Sequence, residues 1–234
     1  MVIRKEIDRK IIAESILELW EPLTEEQRSF LTANIEIHSF QKNEIIYREN
    51  ESPKYLMCLI SGKVKIHMNG VGDRDQIIRL INQKGFFGYR AAFADENYLN
   101  AASAFEPSVI CMIPIKVIKK LLTENTTLAR YFIKQLSTML GAADTRTVNL
   151  TQKHIRGRLA ESLVSLMDKY GVEEDGSTLN IHLSREDLAN MSNMTTSNAI
   201  RTLSSFAHEQ LIVIDGRKIK IIEENMLRNI SDMG

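Results

Sequence analysis

Apolar and polar positions change their period twice along the chain. Ile7, Ile11, Ile12, Ile16 and Leu19 recur near helical spacing, which predicts a helix from Arg4 to Trp20, stopped at Glu21-Pro22. Thr24 followed by Gln27 reads as a capping box for a second helix ending near Asn34. From Ile35 the period falls to two: Ile35 to Phe40, Val64 to Met68 and Gln76 to Leu80 all alternate. Short strands continue to Ile113, punctuated by Ser61-Gly62, Gly70-Val71-Gly72-Asp73, Lys84-Gly85 and Gly88, which predicts a β-sandwich or roll. Pro114 then opens a short helix over Ile115 to Leu122. Asn125 to Leu150 contains no proline and predicts one long helix. Its residues Ala129, Phe132, Leu136, Met139, Ala143 and Leu150 follow a heptad-like seam, broken at Arg146, where another apolar residue is expected. A helix packed only on its own roll accounts for Leu128 and Leu140 but leaves that seam without a partner. The pattern therefore predicts a coiled-coil partner.

The last third turns helical again around LSREDLANMSNMTTSNAIRTLSSFAHEQLI, Leu183 to Ile212. Ser184 and Asp187 form a capping box, the polar break Ser192-Asn193 follows, and Thr195 or Thr196 can cap a second helix. On that helix Ala199, Ile200, Leu203, Phe206 and Ala207 share one face. Ser197, Arg201, Ser204, Ser205 and His208 share the other, and no acid occurs between Leu188 and His208. A helix entering the major groove needs small polar groups, a guanidinium and no carboxylate facing phosphate. A small helical hairpin in a core is the bland alternative. Leu211 to Ile214 and Lys218 to Ile222 are β-rich runs joined by Asp215-Gly216-Arg217, a hairpin turn signal. Two helices around a turn followed by a hairpin make a winged helix, with cations Arg217, Lys218 and Lys220 on the wing. The candidate DNA-contacting residues are Arg185, Thr195, Thr196, Ser197, Asn198, Arg201 and Lys218.

This assembly resembles the C-terminal domain of the CRP/FNR family of bacterial transcription regulators, and His154 to Gly171 (HIRGRLAESLVSLMDKYG) resembles the helix that opens that domain. The resemblance extends upstream to about Ile35; Gly62-Lys63-Val64-Lys65 and Gly85-Phe86-Phe87-Gly88 match the family's glycine punctuation. It implies an α+β chain: an N-terminal jelly-roll β-barrel of the cyclic-nucleotide-binding type with its leading helices (1–124), a dimerisation helix (125–150) and a winged helix-turn-helix domain (151–234). It also implies a homodimer, with Ala129, Phe132, Leu136, Met139 and Ala143 at the interface, a palindromic double-stranded DNA operator, contact with RNA polymerase, and an effector that reorients the recognition helices.

The expected effector pocket comprises Gly88, Tyr89, Arg90, Asn100, Ala101, Ala143 and Asp144. The family's cAMP-responsive member holds its ligand with a G-E segment and a later R-S-A. Here Tyr89 replaces the glutamate, Leu99-Asn100-Ala101 lacks the phosphate arginine, and Ala143 and Asp144 replace two hydroxyl residues that meet the base. The resemblance therefore implies an effector other than cAMP, with Arg90 as a substitute cation, or a pocket that binds nothing; the residues leave both open. The recognition helix departs too. The relative's R-E-x-x-x-R pattern aligns with Thr196, Ser197 and Arg201, so only the second arginine is kept and the operator should differ.

Composition narrows the function. Lys plus Arg and Asp plus Glu are both 30 in 234 residues, and residues 151–234 hold ten cations against twelve acids, a formal −2. That counts against a promiscuous DNA binder whose affinity rests on phosphate neutralisation. A local footprint remains, from Lys153, Arg156 and Arg158. No apolar run reaches membrane-spanning length and no signal peptide opens the chain, so the expectation is a cytoplasmic protein without a membrane partner. Cys58 and Cys111 lie in strand-like runs as small hydrophobes, too few for an iron–sulfur cluster. The five histidines show no metal spacing, and no nucleophile elbow or Walker loop occurs; neither a catalytic site, a metal nor a cofactor is expected. Two rivals stand beside the regulator reading. A nucleotide-binding regulatory subunit predicts an intact phosphate arginine and no basic wing. A constitutive, effector-free regulator is not separated by sequence.

Overall fold

The computed structural model describes residues 9–70 and 75–234. Arg4 to Asp8 of the expected first helix, and Val71-Gly72-Asp73 of an expected turn, lie outside them. The chain divides into two compact units, Met1–Met68 with Arg79–Leu140, and Asn69–Ile78 with Gly141–Gly234. The result is the expected α+β architecture.

In the first unit the N-terminal helix is two pieces, α1 (Arg9–Ser15) and α2 (Leu17–Trp20), because Ile16 leaves helical geometry (φ −92°, ψ 72°). In α3 (Glu25–Asn34) the capping box forms in both directions: Gln27 N donates to Thr24 Oγ1 at 3.3 Å and Thr24 N to Gln27 Oε1 at 3.2 Å. Among the described residues eight strands follow: β1 (Glu36–Phe40), β2 (Ile45–Tyr47), β3 (Tyr55–Ser61), β4 (Val64–Asn69), β5 (Asp75–Ile81, its first four residues counted with the second unit), β6 (Phe86–Phe87) and, after the short helix α4 (Tyr89–Phe93), β7 (Ala101–Ala104) and β8 (Ser108–Pro114). They form two four-stranded sheets, ordered β1-β8-β3-β6 and β2-β7-β4-β5. The helices α5 (Ile115–Glu124) and α6 (Thr126–Gln152) complete the series.

Alternation explains the continuous apolar run of β3. Met57 and Leu59 point into the roll with Val64, Ile66, Phe87, Ile110 and Met112. Leu56 and Cys58 point the other way, into a core shared with α1, α3, α5 and the first half of α6. A strand covered on both faces needs no polar positions. Cys58 and Cys111 are register partners across β3 and β8, both buried. Burial pushes the Cys111 thiol up to about 12 and Cys58 further, so both behave as packing groups.

The seam on α6 needs correcting. Phe132, expected at a dimer interface, is 2% exposed and sits among Phe86, Tyr89, Phe93 and Tyr131 of its own chain, with centroids 5.3–5.8 Å from its ring. Leu136 and Met139 are half-buried against the same core. The apolar residues left outward are Ile133 (63% exposed), Leu140 (65%) and Val148 (49%). Successive residues differ by about 100° on a helix, enough to bury Phe132 and leave its neighbour Ile133 outward.

The second unit is built on α7 (Ile155–Tyr170), α8 (Arg185–Met191), α9 (Thr196–His208), the hairpin β9 (Ile212–Asp215) and β10 (Lys218–Ile221), and α10 (Glu224–Met233). Leu159, Leu163, Leu166, Leu188, Leu203, Phe206 and Leu227 fill its interior. Bridges from Val172 to Leu179 and from Thr178 to Lys220 add a short third element beside β10. Arg146, the break in the apolar pattern, acts within this unit. Its guanidinium donates to the carbonyls of Ile77 (2.7 Å), Ile78 and Met191 (3.5 Å). Gln76 Nε2 donates to the neighbouring carbonyl of Asn190 at 2.5 Å. The last carbonyls of α8 thus receive side-chain donors where the helix ladder provides none.

Candidate DNA-binding face and effector pocket

The helix-turn-helix is held by its caps. Ser184 Oγ accepts from Asp187 N at 3.0 Å, and the Asp187 carboxylate reaches back to Ser184 N, closing the expected box on α8. Thr195, not Thr196, caps α9, accepting from Asn198 N at 3.3 Å. Between the helices Asn193 takes a left-handed conformation (φ 48°). Arg158 fixes that turn: Nε donates to Ser192 O at 3.0 Å and Nη2 to Asn193 O at 3.2 Å. Ser192 Oγ donates to Ser162 Oγ at 2.8 Å in the interior.

On α9 the inward face is Ala199, Thr202, Leu203 and Phe206. Ile200, expected inside, is 48% exposed, while Thr202 takes its place because the buried set follows i, i+3, i+4, i+7. The outward stripe is Thr196, Ser197, Ile200, Arg201 and Ser204, all exposed. Asn198 is half-buried beside it. This stripe can meet base edges through hydroxyls and one guanidinium, and a thymine methyl through Ile200.

The other cations are mostly engaged within the protein. Arg185, a candidate DNA contact, donates from Nη2 to Gly216 O at 2.8 Å and so ties the wing turn to the start of α8. Lys218 pairs with Glu173 at 3.0 Å and Lys220 with Asp175 at 3.5 Å. The expected footprint of Lys153, Arg156 and Arg158 is spent on structure. Lys153 pairs with Glu161 at 3.3 Å, and Arg158 serves the turn. Arg156 pairs with Glu209 and Ser205 and lies 4.7 Å over the Phe206 ring. Among the described residues, Arg201 and Arg217 are exposed and make no ion pair.

These pairings set the carboxylates. Hydrogen bonds from Lys218, and then His182, hold Glu173 below the usual range. Backbone and hydroxyl donors of Thr178, with Ser177 N–H, hold Asp175 well below it. Arg156 and then Ser205 lower Glu209. A phosphate that takes Lys218 shares its ammonium with a carboxylate already bonded to it. The face therefore gains little from nonspecific charge, in keeping with the −2 balance of residues 151–234.

The expected pocket residues separate into three groups. Gly88 is left-handed (φ 80°), a conformation that favours glycine, and an added Cβ would also push on the Met57 methyl at 2.2 Å and lie 3.3 Å from the Tyr98 hydroxyl. Tyr89 packs in the core. It is 3% exposed in the helix-side core, its ring 5.3 Å from Phe132 and its hydroxyl 3.3 Å from Met139 Sδ. Arg90 donates Nη1 to Glu96 at 3.2 Å, and its Nη2 is buried without a partner among the described residues. Asn100 Oδ1 accepts from Tyr47 OH at 3.0 Å, and Ala101 is half-buried at the start of β7. Ala143 and Asp144 are exposed on α6 and belong to the second unit. Sequence reasoning missed Arg79. It alternates with Ile77 and Ile81 on β5, both buried, and its Nε is buried with no partner among the described residues. A cation in phase with two buried isoleucines was the available signal.

Two family models match the chain, one described as cyclic nucleotide-binding domain over residues 37–125 and one as Crp-like helix-turn-helix domain over residues 157–230. The anaerobic regulatory protein of Bacillus subtilis is 25% identical over 224 residues, covering 94% of this chain and 90% of its own. A CRP-like cAMP-activated global transcriptional regulator of Mycobacterium tuberculosis is 21% identical over 198 residues, covering 84% and 88%. The solved structure of FixK2 from Bradyrhizobium japonicum superposes with a TM-score of 0.76 at 21% identity, covering 84% of this chain and 96% of that one. Among the described residues no helix is long and apolar enough to cross a membrane. A roll matching the cyclic-nucleotide-binding model, a long helix and a Crp-like helix-turn-helix occur here in one chain, and the chain belongs to the CRP/FNR family of transcription regulators, a non-enzymatic family whose helix-turn-helix domain binds DNA.

Proposed function

We propose that the protein is a homodimeric, sequence-specific regulator that reads a palindromic operator, under the control of an effector other than cAMP. The acid-free stripe Thr196, Ser197, Ile200, Arg201 and Ser204 carries this reading, set on a helix whose opposite face is buried. Arg201 bonds guanine O6 and N7 together, worth about 1–3 kcal/mol of discrimination, while the hydroxyls and Ile200 read neighbouring edges. Lys218 and Arg217 serve phosphate, which fixes register without choosing sequence. Ile133, Leu140 and Val148 supply the dimer face, and contact with RNA polymerase follows from the family. An effector other than cAMP is supported by the burial of Tyr89 and by Leu99, which is exposed where the family's phosphate arginine aligns.

Two-fold symmetry places half-sites about 34–36 Å apart, one turn of DNA. Native mass measurement of the complex with a full and a half operator tests this. The proposal expects two chains on the full site and a large loss of affinity on the half-site. A single chain bound equally well to both would overturn it.

A further inference from the structure

Resting on the reading of the roll as a sensory unit, we propose that it holds a compact dianion, a phosphate monoester or a dicarboxylate, between Arg79 and Arg90. Arg79 arrives on β5 from the inward-facing set, and Arg90 on the first turn of α4, immediately after Gly88 and Tyr89. Each guanidinium has a buried N–H without a partner among the described residues, Nε of Arg79 and Nη2 of Arg90. An unpaired buried donor is costly, and more so on a charged group. Arg90 shows the asymmetry directly, since Nη1 faces outward to Glu96 at 3.2 Å while Nη2 is left open inside.

The surrounding groups are rings and hydroxyl donors, with two exposed carboxylates beside them, Glu96 on the outer N–H of Arg90 and Glu51 acting on Tyr98. Tyr47 and Tyr98 stack with centroids 3.8 Å apart, and Tyr47 is fixed by Asn100 at 3.0 Å. Burial first, and then Tyr98, push the Tyr47 hydroxyl up against the pull of Arg79 and Arg90. A neutral tyrosine beside two guanidiniums supplies a further donor to an anion. Two cations whose inner N–H groups lack acceptors suit a ligand with two negative charges. These positions are not those at which the cAMP-responsive relative pairs its phosphate. A planar guanidinium takes an oxyanion through two parallel bonds, so both ligand classes fit the same fork.

The test is calorimetry and thermal unfolding of the full chain with inorganic phosphate and with malonate, each against sodium chloride of equal ionic strength. Saturable binding of at least one dianion is expected. It should weaken about tenfold or more in Arg79→Gln and in Arg90→Gln, the loss that one charge-assisted bond represents. It should be unchanged in Lys218→Gln, which removes a cation of the DNA face. Arg79→Lys replaces the glutamine variant if that variant does not fold, and should bind more weakly than wild type. Phosphate alone binding identifies the ester class, and malonate alone the dicarboxylate class. Binding of neither, binding indifferent to both arginines, or loss in Lys218→Gln would overturn the proposal. DNA binding is measured separately, so failure here leaves the operator reading standing.

Discussion

Arg146 offers the most exacting test of the second unit's packing. Its guanidinium bonds the carbonyls of Ile77 and Ile78 and reaches Met191 O at 3.5 Å, from a helix position that a coiled coil would fill with an apolar residue. Burial lowers its pKa, so the charge is held at a desolvation cost that the carbonyls offset. Arg146→Met keeps much of the volume and removes every donor. Hydrogen bonds to a charged group contribute about 1.5–3 kcal/mol each. Two good bonds lost, partly offset by the desolvation no longer needed, give a destabilisation of about 3 kcal/mol. For a unit of this size that lowers Tm by roughly 10 °C or more. Arg146→Lys keeps the charge but cannot span the adjacent carbonyls, and should recover less than half of the loss. Scanning calorimetry on wild type and both variants measures this, with the transition of the second unit resolved from that of the first where the two unfold separately. A methionine variant within about 0.5 kcal/mol of wild type, the range of an ordinary surface change, would refute the assignment and leave Arg146 as a solvated residue.

Further outcomes follow from the same geometry. Ile133→Glu with Leu140→Glu should give a folded monomer in sedimentation, because both residues are outward and belong to the proposed dimer face. Phe132→Ala should instead destabilise the first unit by about 3–5 kcal/mol, the cost of emptying a buried aromatic site. Glu173→Gln should release Lys218 and strengthen binding to all DNA sequences alike, with a steeper salt dependence read by fluorescence anisotropy. Glu173 also titrates below its ordinary range, so the order it lends the wing is complete above pH about 4.3. That order fades as pH falls through its depressed value, and a carboxyl NMR titration of wild type against Lys218→Ala checks it.

Local chemistry was the legible part of the sequence. Capping at Thr24 and Ser184 and the hairpin signal Asp215-Gly216-Arg217 depend on neighbours a few residues apart, and the structure places them as read, while of the two threonines offered for α9 it takes Thr195. The strands β3 and β8 were legible as apolar runs around Cys58 and Cys111, because burial on both faces leaves few polar positions. Helix faces were harder. Phe132 against Ile133, and Ile200 against Thr202, differ by one or two positions, and amphipathic spacing does not say which of two apolar stripes meets the chain's own core. Long-range polar contacts left almost no signal. The acceptors of Arg146 and Arg158 are backbone carbonyls distant in sequence, and the pairing of Lys218 with Glu173 joins residues 45 apart. A reading that counted cations therefore overstated the charge available to DNA.

Selection from random DNA, run in parallel with wild type and Arg201→Ala, tests the central claim most directly. Wild type should enrich an inverted repeat with a guanine at one position of each half-site. Arg201→Ala should bind more weakly and lose preference at that base pair, by about 1–3 kcal/mol per half-site, while the rest of the motif persists. An unchanged motif from Arg201→Ala would contradict the assignment of the outward stripe of α9 as the face that reads the operator.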